Sequence, residues 1–286
     1  MYYNSNFVLW GFAMHTCLKW YIPLFVIVVC IPVYDSAVSS QNQITCLHED
    51  WTECASNDIK SKWIEYAPDW KLLKKKDDVL LYTRKLPSGI VQVKAEKIMY
   101  VKPEVVEQLV RDVPAYKEFM YKCFIAETIK IFNDEDMIIH NATAMPWPLK
   151  PRDGVVRTQV TKDWDYGRFE VLCYGLLPPE SEQYVPQVEG FVRMYEVSAY
   201  MIAHILQREK VKCFYIIHAD PTGVPLFAVN HLIDSYPYYT IIKFEEMLKK
   251  PEYIDRGKNS KYLAQIEAFC KQKQSALPKT NQHILP

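Results

Sequence analysis

Pro146-Trp147-Pro148-Leu149-Lys150-Pro151-Arg152-Asp153 separates two apolar, strand-like segments, 137–145 and 154–162. Three prolines in six positions exclude a helix interior or a central strand, because proline lacks an N–H and its φ is fixed. The stretch therefore predicts a rigid loop between two strands, with a large aromatic side chain at its tip. An exposed Trp147 would suit contact with an apolar ligand or a membrane. The alternative is that Trp147 folds back onto the core.

The segments on either side of this loop predict an α+β domain built on an antiparallel sheet. Short turn signals separate the strand-like runs, and short turns favour antiparallel neighbours. The predicted strands are 70–73, 79–85, 90–101, 123–132, 137–145, 154–162, 168–176, 191–206 and 210–220. Helical spacing predicts helices at 103–111, 115–121 and 226–249, and Pro237 should kink or split the last one. This order predicts a curved sheet around a long C-terminal helix, with a cavity between them.

Charge and motif content exclude several classes of function. The chain carries 34 basic and 34 acidic side chains, and this balance argues against nucleic acid as a partner. No glycine-rich phosphate loop occurs, which argues against nucleotide-dependent chemistry. No CxxC pair occurs, and the histidines show no metal-ligand spacing, so we predict neither a metal site nor a cofactor.

The N-terminal region has the layout of a secretory signal. An uncharged apolar run at 20–34 follows Lys19 and precedes small residues at 36–40. We predict a signal peptide or uncleaved signal anchor at 1–40, a linker at 41–60, the folded domain at 61–255, and a polar, loosely held tail at 256–286. The chain would then be lumenal, secreted or membrane-anchored. Cys46 and Cys54 are close enough in sequence to pair in an oxidising lumen.

Four segments, in this order, resemble the START lipid-transfer family. They are Trp70-Lys71-Leu72-Leu73 with 79–82, the proline loop, Gly190-Phe191-Val192-Arg193, and the segment 220–225. The resemblance covers about 61–250, and the loop ending in Arg152-Asp153 is its most specific part. It implies a helix-grip fold whose internal tunnel holds one lipid under a lid. It also implies a monomeric, non-enzymatic protein that binds a phospholipid, sterol or ceramide and transfers it at membrane surfaces.

The chain departs from the phosphatidylcholine-transfer members, which it otherwise resembles most. Their aromatic choline contacts align with Asn141, Gly154 and Val197, and their phosphate-binding ion pair aligns near Tyr116 and Met120. A choline cage needs ring faces around the cation. We therefore predict a sterol-like ligand, a phospholipid selected by its chains, or broad selectivity.

Strand alternation predicts which side chains face the tunnel. The predicted tunnel residues are Ile139, Asn141, Thr143, Met145, Val156, Thr158, Arg193, Val197 and Met201 in the sheet, and Val229 and Ile233 in the long helix. The predicted membrane-contact residues of the lid loop are Trp147, Leu149 and Arg152. The alternative for each tunnel residue is an ordinary core position. Asn141 begins a glycosylation sequon, which an inward-facing side chain would leave unused.

Two other functions stay open at this point. A helix-grip enzyme acting on a hydrophobic ring system would need an acid or base inside the cavity, and the predicted inward residues include no Asp, Glu or His. A membrane-held lipid sensor would retain the N-terminal segment as an anchor. We expect Asp153 to order the proline loop by accepting hydrogen bonds from nearby backbone N–H groups.

Overall fold

One curved sheet dominates the computed structural model. The structure describes residues 63–89, 91–219, 223–224 and 226–276, and at 226–234 and 276 it describes only the backbone. Its described strands are β1 (Lys71–Lys76), β2 (Val79–Lys85), β3 (Val91–Met99), β4 (Cys123–Asn133), β5 (Asp136–Thr143), β6 (Arg152–Asp163), β7 (Arg168–Gly175), β8 (Val192–Arg193), β9 (Val197–Gln207) and β10 (Lys210–Ala219). The order is β1-β2-β3-β10-β9-β7-β6-β5-β4, antiparallel throughout, and β8 pairs in parallel with β6. The predicted α+β class and antiparallel sheet are confirmed.

Two of the described helices follow β3, a short one lies between β7 and β8, and three follow β10. They are α1 (Pro103–Arg111), α2 (Tyr116–Phe119), α3 (Glu180–Tyr184), α4 (Leu226–Leu248), α5 (Pro251–Gly257) and α6 (Leu263–Ala276). In α1, Pro103 occupies the first turn, where no intrahelical N–H bond is needed. The predicted split of the long helix is wrong, because α4 runs through Pro237 without a break. Burial of Ile241, Phe244 and Leu248 holds the part of the helix that follows the lost hydrogen bond.

Helix α4 packs against β2, β3 and β10 and covers the inner face of the sheet. Along β10, Tyr215 points to this inner side, while Phe214 and Ile216 point to the outer side. The segment before β1 covers the outer side, where Tyr66 and Trp70 pack on the same cluster. Strand β10 is therefore buried on both faces, which explains its nearly continuous apolar sequence.

The C-terminal half of α4 is tied to the turn between β1 and β2. The Lys97 ammonium, 3% exposed, binds Asp78 in that turn and lies 3.3 Å from Glu245 of the helix. The Tyr238 hydroxyl donates to Asp77 at 2.6 Å. These contacts fix one half of the helix against the sheet edge.

The predicted loose tail at 256–286 is wrong for residues 256–276. Helix α6 buries Ile266, Phe269 and Cys270 against Ile205, with Trp164 packed alongside. These side chains are spaced three and four residues apart, so they form one apolar stripe along the helix. The segment is polar on average because many polar residues surround the stripe. Gly167, with a φ of +56°, lies so close that an added Cβ would stand 2.3 Å from Phe269.

Strand 191–206, predicted as one element, is two strands separated by residues 194–196. The signal or anchor at 1–40, the linker at 41–60, Cys46 and Cys54 all lie outside the described residues. Within the described part of the chain, no helix combines the length and apolarity needed to cross a membrane.

Candidate functional site

A cavity lies between the inner face of the sheet and helices α2 and α4. The atom-free space within it, counted out to its open side, is about 730 Å³. Its described lining residues are Val110, Tyr116, Phe119, Met120, Ile139, Asn141, Thr143, Val156, Val171, Cys173, Met194, Val197, Ala199, Tyr200, Met201, Tyr215, Ile217 and Tyr236. The lining is mainly apolar and aromatic, and no described member carries a formal charge.

Strand alternation places most of the predicted sheet residues at this cavity. The predicted residues that line it are Ile139, Asn141, Thr143, Val156, Val197 and Met201. Thr158 is buried behind the lining, with its hydroxyl 3.3 Å from the Cys173 sulfur. Met145 lies beyond the end of β5 and does not line the cavity. Val229 and Ile233 belong to α4, but their side chains are not described.

The prediction that Arg193 faces the tunnel is wrong. Its guanidinium donates from Nε to Asp153 Oδ2 at 2.9 Å and also to the carbonyl oxygens of Val185 and Pro186. The break between β8 and β9 ends the alternation on which the prediction relied, and Met194 lines the cavity instead.

Asp153 does not bond backbone N–H groups as expected. Its carboxylate is 0% exposed and accepts from Arg193 and from His140 Nε2, the latter at 3.0 Å. Burial alone would raise the pKa of Asp153, but hydrogen bonds from His140 and Arg193 outweigh it and lower the pKa. The three side chains connect β5, β6 and β8 at the base of the proline loop.

The proline loop presents its aromatic side chain to solvent. Trp147 is 91% exposed, so the alternative in which it folds back onto the core is excluded. Leu149 is half-buried, and Arg152 is buried, donating to the Lys150 carbonyl at 2.6 Å. Arg152 therefore stabilises the loop from within by a hydrogen bond to its backbone, and Trp147 projects from the loop into solvent.

Sequence reasoning missed the aromatic part of the cavity wall. Tyr116, Phe119, Tyr215 and Tyr236 all line it. The alternation along β10 could have predicted the inward position of Tyr215, because Cys213, Tyr215 and Ile217 are two residues apart and face the same side of the sheet. The cavity thus contains rings, although none stands at the three positions aligned with the choline cage.

Two of these tyrosines place hydroxyls in the buried wall. Tyr236 Oη lies 3.5 Å from Thr143 Oγ1. Tyr215 is 3% exposed, and its buried hydroxyl makes no hydrogen bond of ordinary geometry with a described residue, only a weak interaction with the Tyr236 hydroxyl. Burial raises the pKa of Tyr236 to about 12 and that of Tyr215 well above its ordinary value. Both phenols are therefore neutral hydrogen-bond donors at physiological pH.

The described residues contain no group of three or more His, Cys, Asp or Glu side chains that could hold a metal ion. His140 and His204 are each engaged by a buried carboxylate, Asp153 and Glu65 respectively. The site is an uncharged, mainly apolar cavity with a few hydrogen-bonding groups.

Comparison with solved structures defines the class of fold. The chain has the helix-grip fold of the STAR-related lipid transfer domains, which confirms the predicted START resemblance at the level of the fold. A STAR-related lipid transfer protein fragment from Xanthomonas axonopodis matches with 22% identity and a TM-score of 0.56, covering 64% of this chain and 99% of that one. Human StAR-related lipid transfer protein 5 matches with 18% identity and a TM-score of 0.58, covering 71% and 98%.

Human STARD10 has the same TM-score, 0.58, at 16% identity, covering 77% of this chain and 87% of that one. No protein family profile and no curated protein sequence matches the chain.

Proposed function

We propose that this chain binds one lipid in the cavity between the sheet and α4 and transfers it between membranes without changing it chemically. The observation that carries the proposal is the uncharged, largely apolar cavity between the sheet and α4 of a helix-grip fold. The fold shared with STAR-related lipid transfer domains adds support.

The energetics favour a carrier. Each buried CH₂ group contributes about 0.8 kcal/mol, so an acyl lipid leaves a bilayer for water very slowly. A cavity lined by side chains such as Ile139, Val156 and Met201 resembles the bilayer interior, so exchange between the two is nearly neutral in free energy. The protein then needs only to shield the lipid during the crossing.

Binding a whole lipid requires the cavity wall to move. The inner part of the cavity is large enough for only a few water molecules. Lys97 and Tyr238 tie the C-terminal half of α4 to the sheet edge. Opening therefore involves the proline loop and the N-terminal half of α4, as a lid would.

The lid region carries aromatic side chains suited to a membrane interface. Trp147 projects from the proline loop. Phe124, 44% exposed, lies 6.0 Å from Phe191, measured between ring centroids. Phe124 is the second residue of β4 and Phe191 precedes β8, so both lie at the same end of the sheet as the loop. We propose that these three residues, the aromatic rim, enter the bilayer surface during exchange.

The same site gives little support to an enzyme. Acid–base chemistry on a bound ring needs a titratable group within hydrogen-bond reach of the substrate. No Asp, Glu, His, Lys or Arg is among the described lining residues. The Cys173 thiol, which does line the cavity, has its pKa raised to about 11 by burial and is a poor nucleophile.

The location of the protein is part of the proposal. We propose that residues 1–40 direct the chain into the secretory pathway and that the folded domain acts there as a monomer. N-terminal sequencing of the mature protein from cells distinguishes a cleaved signal from a retained anchor. A retained anchor would favour a membrane-held lipid sensor over a diffusible carrier.

Native mass spectrometry of the full chain tests the central claim. We expect one copurified lipid per protein and transfer of labelled lipid between vesicles. Replacing Ala199 by Phe fills the cavity and should abolish both. Ser198→Phe is the matched control, because Ser198 is the neighbouring residue on β9 and does not line the cavity. A protein that carries no lipid and transfers none, or an Ala199→Phe variant that transfers normally, would refute the proposal.

A further inference from the structure

The buried hydroxyl of Tyr215 is the most informative polar group of the cavity. The side chain is 3% exposed and lines the cavity, and its hydroxyl makes no hydrogen bond of ordinary geometry with a described residue, only a weak interaction with the Tyr236 hydroxyl. A buried hydroxyl without a partner is unfavourable, since it has lost its hydrogen bonds to water. A ligand oxygen within reach would supply the missing partner.

Three further polar groups with spare hydrogen-bonding capacity line the same cavity. The Tyr215 and Tyr236 rings stack, with centroids 6.4 Å apart and an interplanar angle of 23°. The Tyr236 hydroxyl lies 3.5 Å from Thr143 Oγ1, which is a long and weak contact. Asn141 stands two residues from Thr143 on the same face of β5 and lines the cavity too. We call Asn141, Thr143, Tyr215 and Tyr236 the polar subsite.

The chemistry of the polar subsite is neutral. Its members are one amide and three hydroxyls, and both tyrosine hydroxyls stay protonated at physiological pH. No charged side chain is found among the described residues of the lining. A phosphate buried here would have no partner of opposite charge, and burial of an unpaired charge is strongly unfavourable.

We propose that the polar subsite binds one uncharged oxygen of the lipid, a hydroxyl or a carbonyl, with Tyr215 as its main donor. The chain would then select neutral lipids carrying such an oxygen over lipids buried with a charged head group. The inference rests on the proposed lipid-binding function and specifies which lipids the site accepts.

Matched lipid pairs test the role of the oxygen. Binding to the full chain is measured for cholesterol against 5-cholestene, which lacks the hydroxyl, and for hexadecanol against hexadecane. A third pair, dioleoylglycerol against dioleoylphosphatidylcholine, tests the charge. We expect the wild type to favour the oxygen-bearing or neutral member of at least one pair by about 3- to 10-fold, the range for one neutral hydrogen bond.

Tyr215→Phe removes the hydroxyl and keeps the ring, so it should reduce the preference for the hydroxyl-bearing lipid to below about twofold. Tyr116→Phe is the control, because Tyr116 lines the same cavity but its hydroxyl already donates to the Val110 carbonyl at 2.7 Å. This control should retain the wild-type preference. If Tyr215→Phe fails to fold, Asn141→Leu provides a second variant that removes polarity at similar volume.

Thermal unfolding separates a ligand-binding hydroxyl from a structural one. The melting temperature of unliganded Tyr215→Phe should be close to or above that of the wild type, since only the weak interaction with the Tyr236 hydroxyl is lost. Equal binding within every pair, an undiminished preference in Tyr215→Phe, or a lowered melting temperature would overturn the inference. Preferred binding of phosphatidylcholine would overturn it and leave the proposed function standing, whereas binding of no lipid would overturn both.

Discussion

Gly154 leaves the space that the side chain of Asn141 occupies. The two residues are directly paired across β5 and β6, and a Cβ added at Gly154 would lie 3.2 Å from Asn141 Oδ1. This distance is shorter than an ordinary van der Waals contact. The absence of a side chain at 154 therefore determines where the amide of Asn141 points within the cavity.

We predict that Gly154→Ala weakens lipid binding by about 3- to 10-fold while leaving the fold intact. The added methyl group displaces the amide by a few tenths of an ångström, and hydrogen bonds depend steeply on position. A double-mutant cycle provides the control. In an Asn141→Ala background, Gly154→Ala should have almost no further effect on affinity. Additive losses in the cycle would show that Gly154 acts through another residue.

We predict that Trp147→Ala slows lipid transfer between vesicles by about tenfold, since a large apolar side chain no longer inserts into the interface. Affinity for lipid in solution and the melting temperature should stay near wild-type values, because Trp147 is 91% exposed. Tyr100→Ala is the matched control, as Tyr100 is 77% exposed and follows β3, away from the proline loop. Equal transfer rates for Trp147→Ala and the wild type, on both neutral and anionic vesicles, would contradict membrane contact by this loop.

We predict that Glu65→Gln destabilises the protein by about 3 kcal/mol at neutral pH. Glu65 is 0% exposed and accepts from Arg168 at 2.8 Å and from His204 at 2.8 Å. Burial raises its pKa, but hydrogen bonds from His204 and Arg168 outweigh burial and lower the pKa from 4.5 to about 2. A depressed pKa contributes stability that is present above pH 4.5 and is lost as pH falls toward 2.

The wild type should therefore lose stability in acid, beginning below pH 6.5, because burial also lowers the pKa of His204 and keeps it neutral in the folded state. Urea unfolding between pH 8 and pH 2 measures the free energy. In Glu65→Gln the decline between pH 4.5 and pH 2 should flatten. Asp69→Asn is the control, since this side chain is 55% exposed. A Glu65→Gln curve that runs parallel to the wild type throughout would contradict the assignment.

We predict that Phe269→Ala destabilises the domain by about 3–5 kcal/mol, the range for truncating a buried phenylalanine. Phe269 is 6% exposed and contacts Gly167 in the turn between β6 and β7. Denaturant unfolding gives the change in free energy, and Lys271→Ala, an exposed position of the same helix, serves as the control. A change below about 0.5 kcal/mol would mean that α6 is held as loosely as the composition of the tail suggested.

Local patterns along the chain predicted the strands and helix α1 well. Strand β2 and helix α1 begin and end where periodicity and turn residues placed them. The patterns failed at 191–206 and at α6. In the first case the break at 194–196 carries no proline or glycine to mark it. In the second case, many polar residues surround the stripe of Ile266, Phe269 and Cys270.

The amino-acid sequence by itself determined the antiparallel sheet, the rigid proline loop and the inward faces of β5, β6 and β9. These features follow from alternation and from the geometry of proline, which act over a few neighbouring residues. Only the tertiary structure decided that Arg193 turns from the cavity to Asp153 and that Tyr215, Tyr236 and Thr143 line one cavity. Those residues come from elements far apart in sequence, and the distances between their side chains depend on the curvature of the sheet and on the position of α4 against it. No local pattern encodes either quantity, because each arises from the packing of the whole domain.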